Sequence, residues 1–256
     1  MKIVSWNVNG IRALANKEMF FDYLHRHEPD LLFLQETKAW PCQLPEEILQ
    51  PGMYSAEWVS AEKKGYSGVA MLTTTKPLDV ITSLGYEEFD LEGRVVGAVF
   101  SDKVIFGVYF PNSQRPGRLE YKLRFCDVFF DLCDSFRSEG KHVIISGDFN
   151  TAHTEIDLAR PNENKNSAGF LPEERTYFDA ILNQRGYVDV FREQHQGESG
   201  HYSWWTYRAG ARKRNIGWRI DYVLVSKDVE KKVKNVFIQS DVMGSDHCPV
   251  GIELAL

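Results

Sequence analysis

The sequence lacks most of the features that place a chain quickly. It has no P-loop, GxGxxG, HExxH or GxSxG motif. That argues against P-loop nucleotide hydrolysis, zinc proteolysis and serine hydrolysis. Its four cysteines (Cys42, Cys126, Cys133, Cys248) show no CxxC or CxxH spacing. They read as buried thiols of a cytoplasmic protein, not as a disulfide framework or a zinc site. No apolar run approaches the roughly 18 residues of a membrane span. The start, Met1 to Asn7, reads as a strand and not as the apolar core of a signal peptide. No low-complexity tract or Pro/Gly/Ser-rich linker divides the chain, so one domain over residues 1–256 is expected, monomeric and cytoplasmic (nucleoid-associated in a prokaryote).

An excess of positive charge is also missing. The net charge is -6, which taken alone speaks mildly against nucleic acid. The distribution says more. From His201 to Ile220 there are five Lys/Arg and no acid. Such a run is ordinarily a solvated face.

What is present is an alternation of strands and helices. Ile3–Trp6 precedes an amphipathic stretch, Met19–His25, and then the apolar run Asp30–Gln35, a buried strand. Strand-like pieces follow at Tyr54–Ser60, Val69–Thr73, Val80–Leu84, Val95–Phe100 and Val104–Phe110, with short turns that suggest antiparallel pairing. Leu119, Leu123, Cys126, Phe129, Phe130, Cys133 and Phe136 recur at helical spacing, and Gly140 ends that helix. A strand at Val143–Ser146 follows, and a second helix starts at Pro172-Glu173-Glu174 and stops at Gly186. Strands at Ile220–Val225, Lys234–Ser240 and Val250–Leu254 complete a layered α/β sandwich.

The strand ends carry the chemistry. Trp6 is followed by Asn7 and Asn9, Leu34 by Gln35 and Glu36, and Tyr109 by Pro111 and Asn112. Ile145 is followed by Asp148 and Asn150; Asp221 opens a strand; Asp246 and His247 precede the last one. The set is rich in carboxylate and amide oxygen and poor in thiolate. Oxygen donors suit Mg²⁺ or Mn²⁺ rather than zinc, so metal-assisted attack on a phosphodiester fits best. Asp246 and His247 are neighbours that point oppositely in an extended chain. Asp221 is therefore the better partner for the imidazole, fixing its tautomer and raising its pKa.

These residues sit in blocks that resemble the exonuclease III family of apurinic/apyrimidinic (AP) endonucleases, within the endonuclease/exonuclease/phosphatase superfamily. The blocks run in order over roughly residues 3–253. They are Ser5 to Ala13, Leu34 to Lys38, Lys64 to Ala70, Glu92-Gly93-Arg94, Tyr109 to Asn112, Gly147-Asp148-Phe149-Asn150, Ala168 to Arg175, Asn215 to Tyr222, and Ser245 to Pro249. The Gly-Asp-Phe-Asn and Ser-Asp-His blocks alone would indicate only the superfamily, which includes phosphoinositide phosphatases and sphingomyelinases. The Lys-Gly-Tyr-Ser-Gly, Phe-Leu-Pro-Glu-Glu-Arg and Trp-Arg-Ile-Asp-Tyr blocks are specific to the DNA repair branch.

The resemblance implies a four-layer, DNase I-like α/β sandwich, two mixed β-sheets face to face with helices outside, and a site at one end. It implies Glu36 as the main Mg²⁺ ligand (Mn²⁺ as a substitute), Asn7 beside it, and Asp246 near the metal. Asp148 and Asn150 would position or activate water, Asp221 would orient His247, and Tyr109 and Asn112 would contact the scissile phosphate. Either Asp148 or His247 would take the water's proton. Asn9, Arg12, Lys17, Lys38, Tyr66, Arg94 and Arg115 match positions that grip backbone phosphates without reading sequence. The same is expected of Asn164 and Arg212, although Ser167 in the loop of Asn164 stands where many relatives carry Asn. The basic run, with Trp204, Trp205, Tyr207 and Trp218 among Arg208, Arg212, Lys213, Arg214 and Arg219, then becomes a nucleic-acid surface. Trp204 and Trp218 would line a pocket for a flipped abasic sugar, and Arg208 would enter the duplex.

The implied activity is Mg²⁺-dependent incision of duplex DNA 5′ to abasic sites, leaving a 3′-hydroxyl, with 3′-phosphatase, 3′-phosphodiesterase and 3′–5′ exonuclease activity. The partner would be double-stranded DNA with abasic or 3′-blocked lesions. Competing readings are a predominantly 3′–5′ exonuclease, a catalytically silent DNA-binding member, and a lipid or inositol phosphatase, which the cationic aromatic segment disfavours.

Overall fold

In the computed structural model, which describes residues 1–255, twelve strands form two six-stranded sheets. The strands are β1 (Lys2–Asn7), β2 (Leu31–Gln35), β3 (Ser55–Val59), β4 (Val69–Thr73), β5 (Asp79–Ile81), β6 (Val95–Val99), β7 (Lys103–Tyr109), β8 (His142–Asp148), β9 (Tyr187–Asp189), β10 (Asp221–Ser226), β11 (Val233–Ile238) and β12 (Val250–Leu254). The first sheet runs β11-β12-β1-β2-β4-β3 and the second β5-β6-β7-β8-β10-β9. In each sheet one pair is parallel, β1–β2 and β7–β8, and the remaining pairs are antiparallel.

The central strands are apolar on both faces because both faces are covered. Ile3, Leu31, Phe33, Ile105, Ile144, Val223 and Ile252 meet between the sheets. Their alternate neighbours face outward, as the two-residue period of a strand requires. Val4, Trp6, Leu32 and Leu34 pack on the Met19–His27 helix side. Val104, Phe106, Val143 and Ile145 pack with Phe125, Phe129 and Phe130 of the Arg118–Ser138 helix and Phe178 of the Pro172–Asn183 helix. The result is the four-layer α/β sandwich. Its sheets approach closely at Gly107, where a Cβ would lie 2.2 Å from the Phe33 ring. Only a residue without a side chain fits there.

The long helix spans Arg118–Ser138, slightly beyond its apolar stripe. Lys122 lies on that buried stripe, a departure taken up below. The strand pieces in the first half pair antiparallel as expected, β3 with β4 and β5–β6–β7 in turn, but between Thr73 and Asp79 the chain passes from one sheet to the other. Short turns reveal local pairing and are silent about such a crossing. One expectation changes. All four cysteines are free thiols among the described residues, but Cys42 is exposed. It lies in a short 3₁₀ turn before the sheet rim, outside any core pattern. No described helix is long and apolar enough to cross a membrane.

Candidate active site

Strand register alone assembles the site. In the second sheet Tyr109 is the partner of Asp148 across the parallel β7–β8 pair, and Asp148 is the partner of Asp221 across β8–β10. Three reactive side chains thus stand in a row at one sheet end. In the first sheet Asn7 pairs with Gln35, which puts Glu36 one residue past the end of β2. The Asn7 amide closes the gap between the sheets, donating to Glu36 Oε1 at 2.9 Å and to Asp148 Oδ2 at 2.8 Å.

The backbone is bent where these groups leave the strands. Asn9, Glu36, Lys38 and Asn150 all adopt positive φ, between 46° and 52°. Non-glycine residues rarely occupy that region, and such strain gathers at functional sites because packing holds it in place. Gly147 needs no Cβ for a different reason: one would lie 1.9 Å from the Val108 carbonyl oxygen on the neighbouring strand.

His247 is buried between the two acids of the second sheet. Its Nδ1 is 2.8 Å from Asp221 Oδ2, and its Nε2 is 3.8 Å from Asp148 Oδ2. Asp221 Oδ2 also accepts from Ser203 Oγ at 2.6 Å. Burial opposes a charged imidazole, but Asp221 and then Asp148 outweigh it and raise His247 from 6.5 to about 10. Burial first, and the neighbouring Asp221 carboxylate second, push Asp148 up to about 7. Burial also disfavours the Glu36 carboxylate, yet Lys38 and the Asn7 amide hold its pKa below the usual range. Burial, with Glu36 beside it, pushes the Tyr109 hydroxyl well above its ordinary value. Desolvation and partner charge thus drive the members of one cluster to opposite protonation states.

The donor set suits a divalent cation. Glu36 and Asp148 bring carboxylate oxygens within 4.8 Å of one another, with a ring nitrogen of His247 equally near. Three carboxylates crowd one imidazole, and the Lys38 ammonium already lies 2.6 Å from Glu36 Oε2, drawn by the same negative field. Carboxylate oxygens are the donors that hard cations take.

The cluster opens into a cavity of about 670 Å³. Its walls include Asn9, Tyr109, Asn112, Asn150, Asn164, Trp204, Trp218, Asp246 and His247. Trp204 and Trp218 meet edge to face at 6.3 Å and pair by a backbone bridge, so two indoles form one wall. Trp218 packs on Phe170 from the other side.

Several expected residues behave differently. Asn7 turns its carbonyl oxygen, its only ligand atom, to the Asn9 backbone N–H at 3.0 Å, and shows the carboxylates its NH₂. Its amide thus holds the two acids in place. Asp246 lies outside that cluster; it accepts from Asn9 Nδ2 at 2.9 Å and Trp204 Nε1 at 3.1 Å, so it fixes the pocket wall. Arg94 is buried, donating to Glu92, the Tyr109 carbonyl and the Tyr66 hydroxyl, and cannot grip a phosphate freely. Arg212 spends its guanidinium on the carbonyls of Ser240, Val242 and Ser245, bracing the loop that carries His247. Trp205 and Arg219, read as part of a nucleic-acid surface, are buried: Arg219 is 1% exposed and pairs with Asp157 and Asp189. Charge and aromatic content along a segment do not reveal which side chains turn inward.

Others stay available. Arg12, Lys17, Arg115 and Arg208 are exposed, and Asn112 lies at the cavity rim, donating to Asn150 Oδ1 at 3.2 Å. Asn164 is half-buried in the cavity wall and accepts from Ser167 Oγ at 3.3 Å. Lys38 bridges Glu36 and Asn9.

Sequence reading missed a buried pair beneath the site. Lys122 Nζ donates to the Asn150 carbonyl at 2.8 Å, Thr151 Oγ1 at 2.6 Å and Glu174 Oε1 at 2.7 Å. Glu174 also accepts from Ser113 Oγ and the Gly169 N–H. The pair ties together three loops that wall the cavity. A lysine on the apolar stripe of a helix was the available signal. Ser203, the second partner of Asp221, gave none.

Known proteins with this architecture settle the family. A profile of the endonuclease/exonuclease/phosphatase family matches residues 4–247. The chain belongs to that family. It is 46% identical to an exodeoxyribonuclease of Bacillus subtilis over 98% of both chains. It is 40% identical to a DNA-(apurinic or apyrimidinic site) endonuclease of Dictyostelium discoideum, over its own whole length and 71% of that protein. Among solved structures, a 3′ phosphatase from Neisseria bound to a product DNA hairpin superposes with a TM-score of 0.89 at 28% identity, covering all of both chains. An AP endonuclease from Archaeoglobus fulgidus gives 0.86 at 28% identity, again over both whole chains.

Proposed function

We propose that this protein is a Mg²⁺-dependent DNA repair nuclease that incises duplex DNA 5′ to an abasic sugar and also clears blocked 3′ ends. The reading rests chiefly on one observation: Glu36 and His247, linked through Asn7 and Asp148 and backed by Asp221, line a cavity that the Trp204–Trp218 pair also walls. Relatives named as exodeoxyribonuclease and AP endonuclease, and a DNA-bound structural neighbour, support it.

The pKa directions support a division of roles. A group poised near 7 suits a general base, since it is ionised at working pH yet still basic enough to accept a proton. Asp148 is such a group. His247, held as imidazolium by Asp221, is the poorer base; it donates to a phosphoryl oxygen and offsets the charge that grows there. Asn150, anchored through its N–H to Asp148 Oδ1 and its side chain to the Phe110 carbonyl, orients the attacking water. Tyr109, kept neutral, donates to the same phosphate, with Asn112 beside it. The bond from phosphorus to the sugar 3′-oxygen breaks; the phosphate stays on the 5′ side of the abasic sugar, and the departing oxygen takes a proton from solvent to become the 3′-hydroxyl. Glu36 would hold the cation, which when bound withdraws charge from the phosphoryl oxygens.

The two indoles admit a sugar that has lost its base and crowd one that has not. A baseless nucleotide is also the least costly to extrude from the stack. Arg12, Lys17, Arg115 and Arg208 would hold flanking phosphates, so affinity falls as salt rises. The experiment is incision of a duplex with one abasic analogue, by the intact protein and by Glu36→Ala. Cleavage 5′ to the lesion by the former and not the latter is the expected result; equal cleavage by both refutes the site.

A further inference from the structure

A second cluster of ligating side chains lies apart from the cavity, at the end of the short Val190–Gln194 helix. His195, Glu198 and His201 are spaced three residues apart, and each offers one ligand atom within 4.8 Å of the other two. His195 Nδ1 and His201 Nε2 both lie 3.0 Å from the same oxygen, Glu198 Oε2. None of the three lines the catalytic cavity.

We propose that these residues form a binding site for a borderline transition-metal cation of the Zn²⁺ class. Two imidazoles and one carboxylate are the donors such ions take, whereas Mg²⁺ prefers oxygen alone. Bonds of about 2.1 Å place tetrahedral ligand atoms roughly 3.4 Å apart, so each imidazole nitrogen, now 3.0 Å from Glu198 Oε2, needs to move from it by only a few tenths of an ångström. Water would complete the shell on the exposed side, where the Glu198 side chain is 55% accessible.

The cluster is held from below. The His195 ring stacks on buried Phe191 at 4.4 Å and 23°, and the His201 ring meets the same phenyl edge-on at 5.3 Å. Arg192 Nη1 donates to the carbonyls of both His195 and Glu198, at 2.8 and 2.7 Å. Its Nη2 is anchored on buried Asp157 at 2.6 Å. Ligand-bearing backbone is thus fixed by a side chain that is itself fixed, the kind of outer support that metal sites use. Two residues after His201 comes Ser203, which bonds Asp221 in the catalytic cluster. A cation at His201 therefore steadies the segment that feeds Ser203 and Trp204 into the active site.

The two sites differ in donor chemistry, which makes the test separable. Full-length protein, stripped with EDTA and then dialysed, is titrated with Co²⁺ in excess Mg²⁺. We expect visible d–d absorption that saturates at one Co²⁺ per chain and is displaced by Zn²⁺. The absorption should persist in Glu36→Ala. It should be lost in the His195→Gln/His201→Gln double variant, and Glu198→Gln should weaken affinity by more than the about 10–100-fold that loss of an outer partner brings. Glu198 is exposed, so that variant keeps its fold, which circular dichroism checks. Absence of the band, its loss in Glu36→Ala, or its survival in the double variant overturns the assignment.

Discussion

Replacing Asp221 by Asn probes the electrostatic core of the site with almost no change of shape. Asp221 is buried, and Oδ2 is the atom that faces both His247 Nδ1 and Ser203 Oγ. Asn keeps an acceptor for the serine but removes the charge. Raising His247 from 6.5 to about 10 is worth roughly 5 kcal/mol at about 1.36 kcal/mol per pH unit. An opposite charge within hydrogen-bonding distance accounts for about 1–3 pH units, and Asp221 is the largest of the three acids acting on the ring. In metal-free Asp221→Asn, NMR titration of the imidazole should therefore find His247 about 1–3 pH units lower. Asp148, raised by burial and then by Asp221, should fall with it. The sign follows for stability. Because the folded pKa is raised, the wild-type contribution is complete below about 6.5 and disappears as pH rises towards 10. Urea unfolding of the wild type should weaken over that window, and the variant's curve should be flatter. Turnover should fall about 10²–10³-fold, the usual worth of a donor to developing charge, with KM for DNA little changed because Asp221 meets no solvent. Wild-type His247 titrating near 6.5, or the same value in both proteins, would refute the reasoning.

Asp157→Asn should destabilise by about 3–5 kcal/mol, because the buried Arg219 guanidinium loses the carboxylate on its Nε. Chemical denaturation measures it. Arg219 and Arg192 overcome burial to hold Asp157 well below the usual carboxylate range. Its stabilisation is therefore present above about pH 4 and is lost only in strong acid, and the Asn variant should lack that part of the acid limb. Gly147→Ala should be severely destabilised or insoluble, as its Cβ would lie 1.9 Å from the Val108 oxygen; a wild-type melting temperature would contradict the register of β7 and β8. Trp218→Ala should reduce preference for abasic over intact duplex more than it reduces 3′–5′ exonuclease rate, and equal losses would count against the pocket wall.

Much of this architecture is legible because burial on both faces leaves a plain mark. Val143-Ile144-Ile145 and Leu31 to Leu34 can be nothing but central strands, and the polar residues after them must emerge at a rim. That logic reached Glu36, Asp148, Asp221 and His247. It also chose Asp221 over Asp246 as partner of His247, as the 2.8 Å contact has it. What escaped depends on direction rather than position. Arg94, Arg212 and Arg219 look alike in sequence to Arg12 and Arg208, yet the former satisfy carbonyls and carboxylates within the protein. Asn7 donates to both carboxylates while its oxygen accepts from the Asn9 N–H, an orientation that sequence does not carry. The passage between sheets after Thr73 is a tertiary event with no local signature.

The decisive measurement is cleavage of a duplex carrying a single abasic analogue, assayed with Mg²⁺ and again after EDTA. The site assembled from Glu36, Asp148, Asp221 and His247 predicts a nick immediately 5′ to the analogue with a 3′-hydroxyl end, abolished by EDTA and restored by added Mg²⁺. No incision with Mg²⁺ present, or incision that EDTA leaves intact, would contradict it.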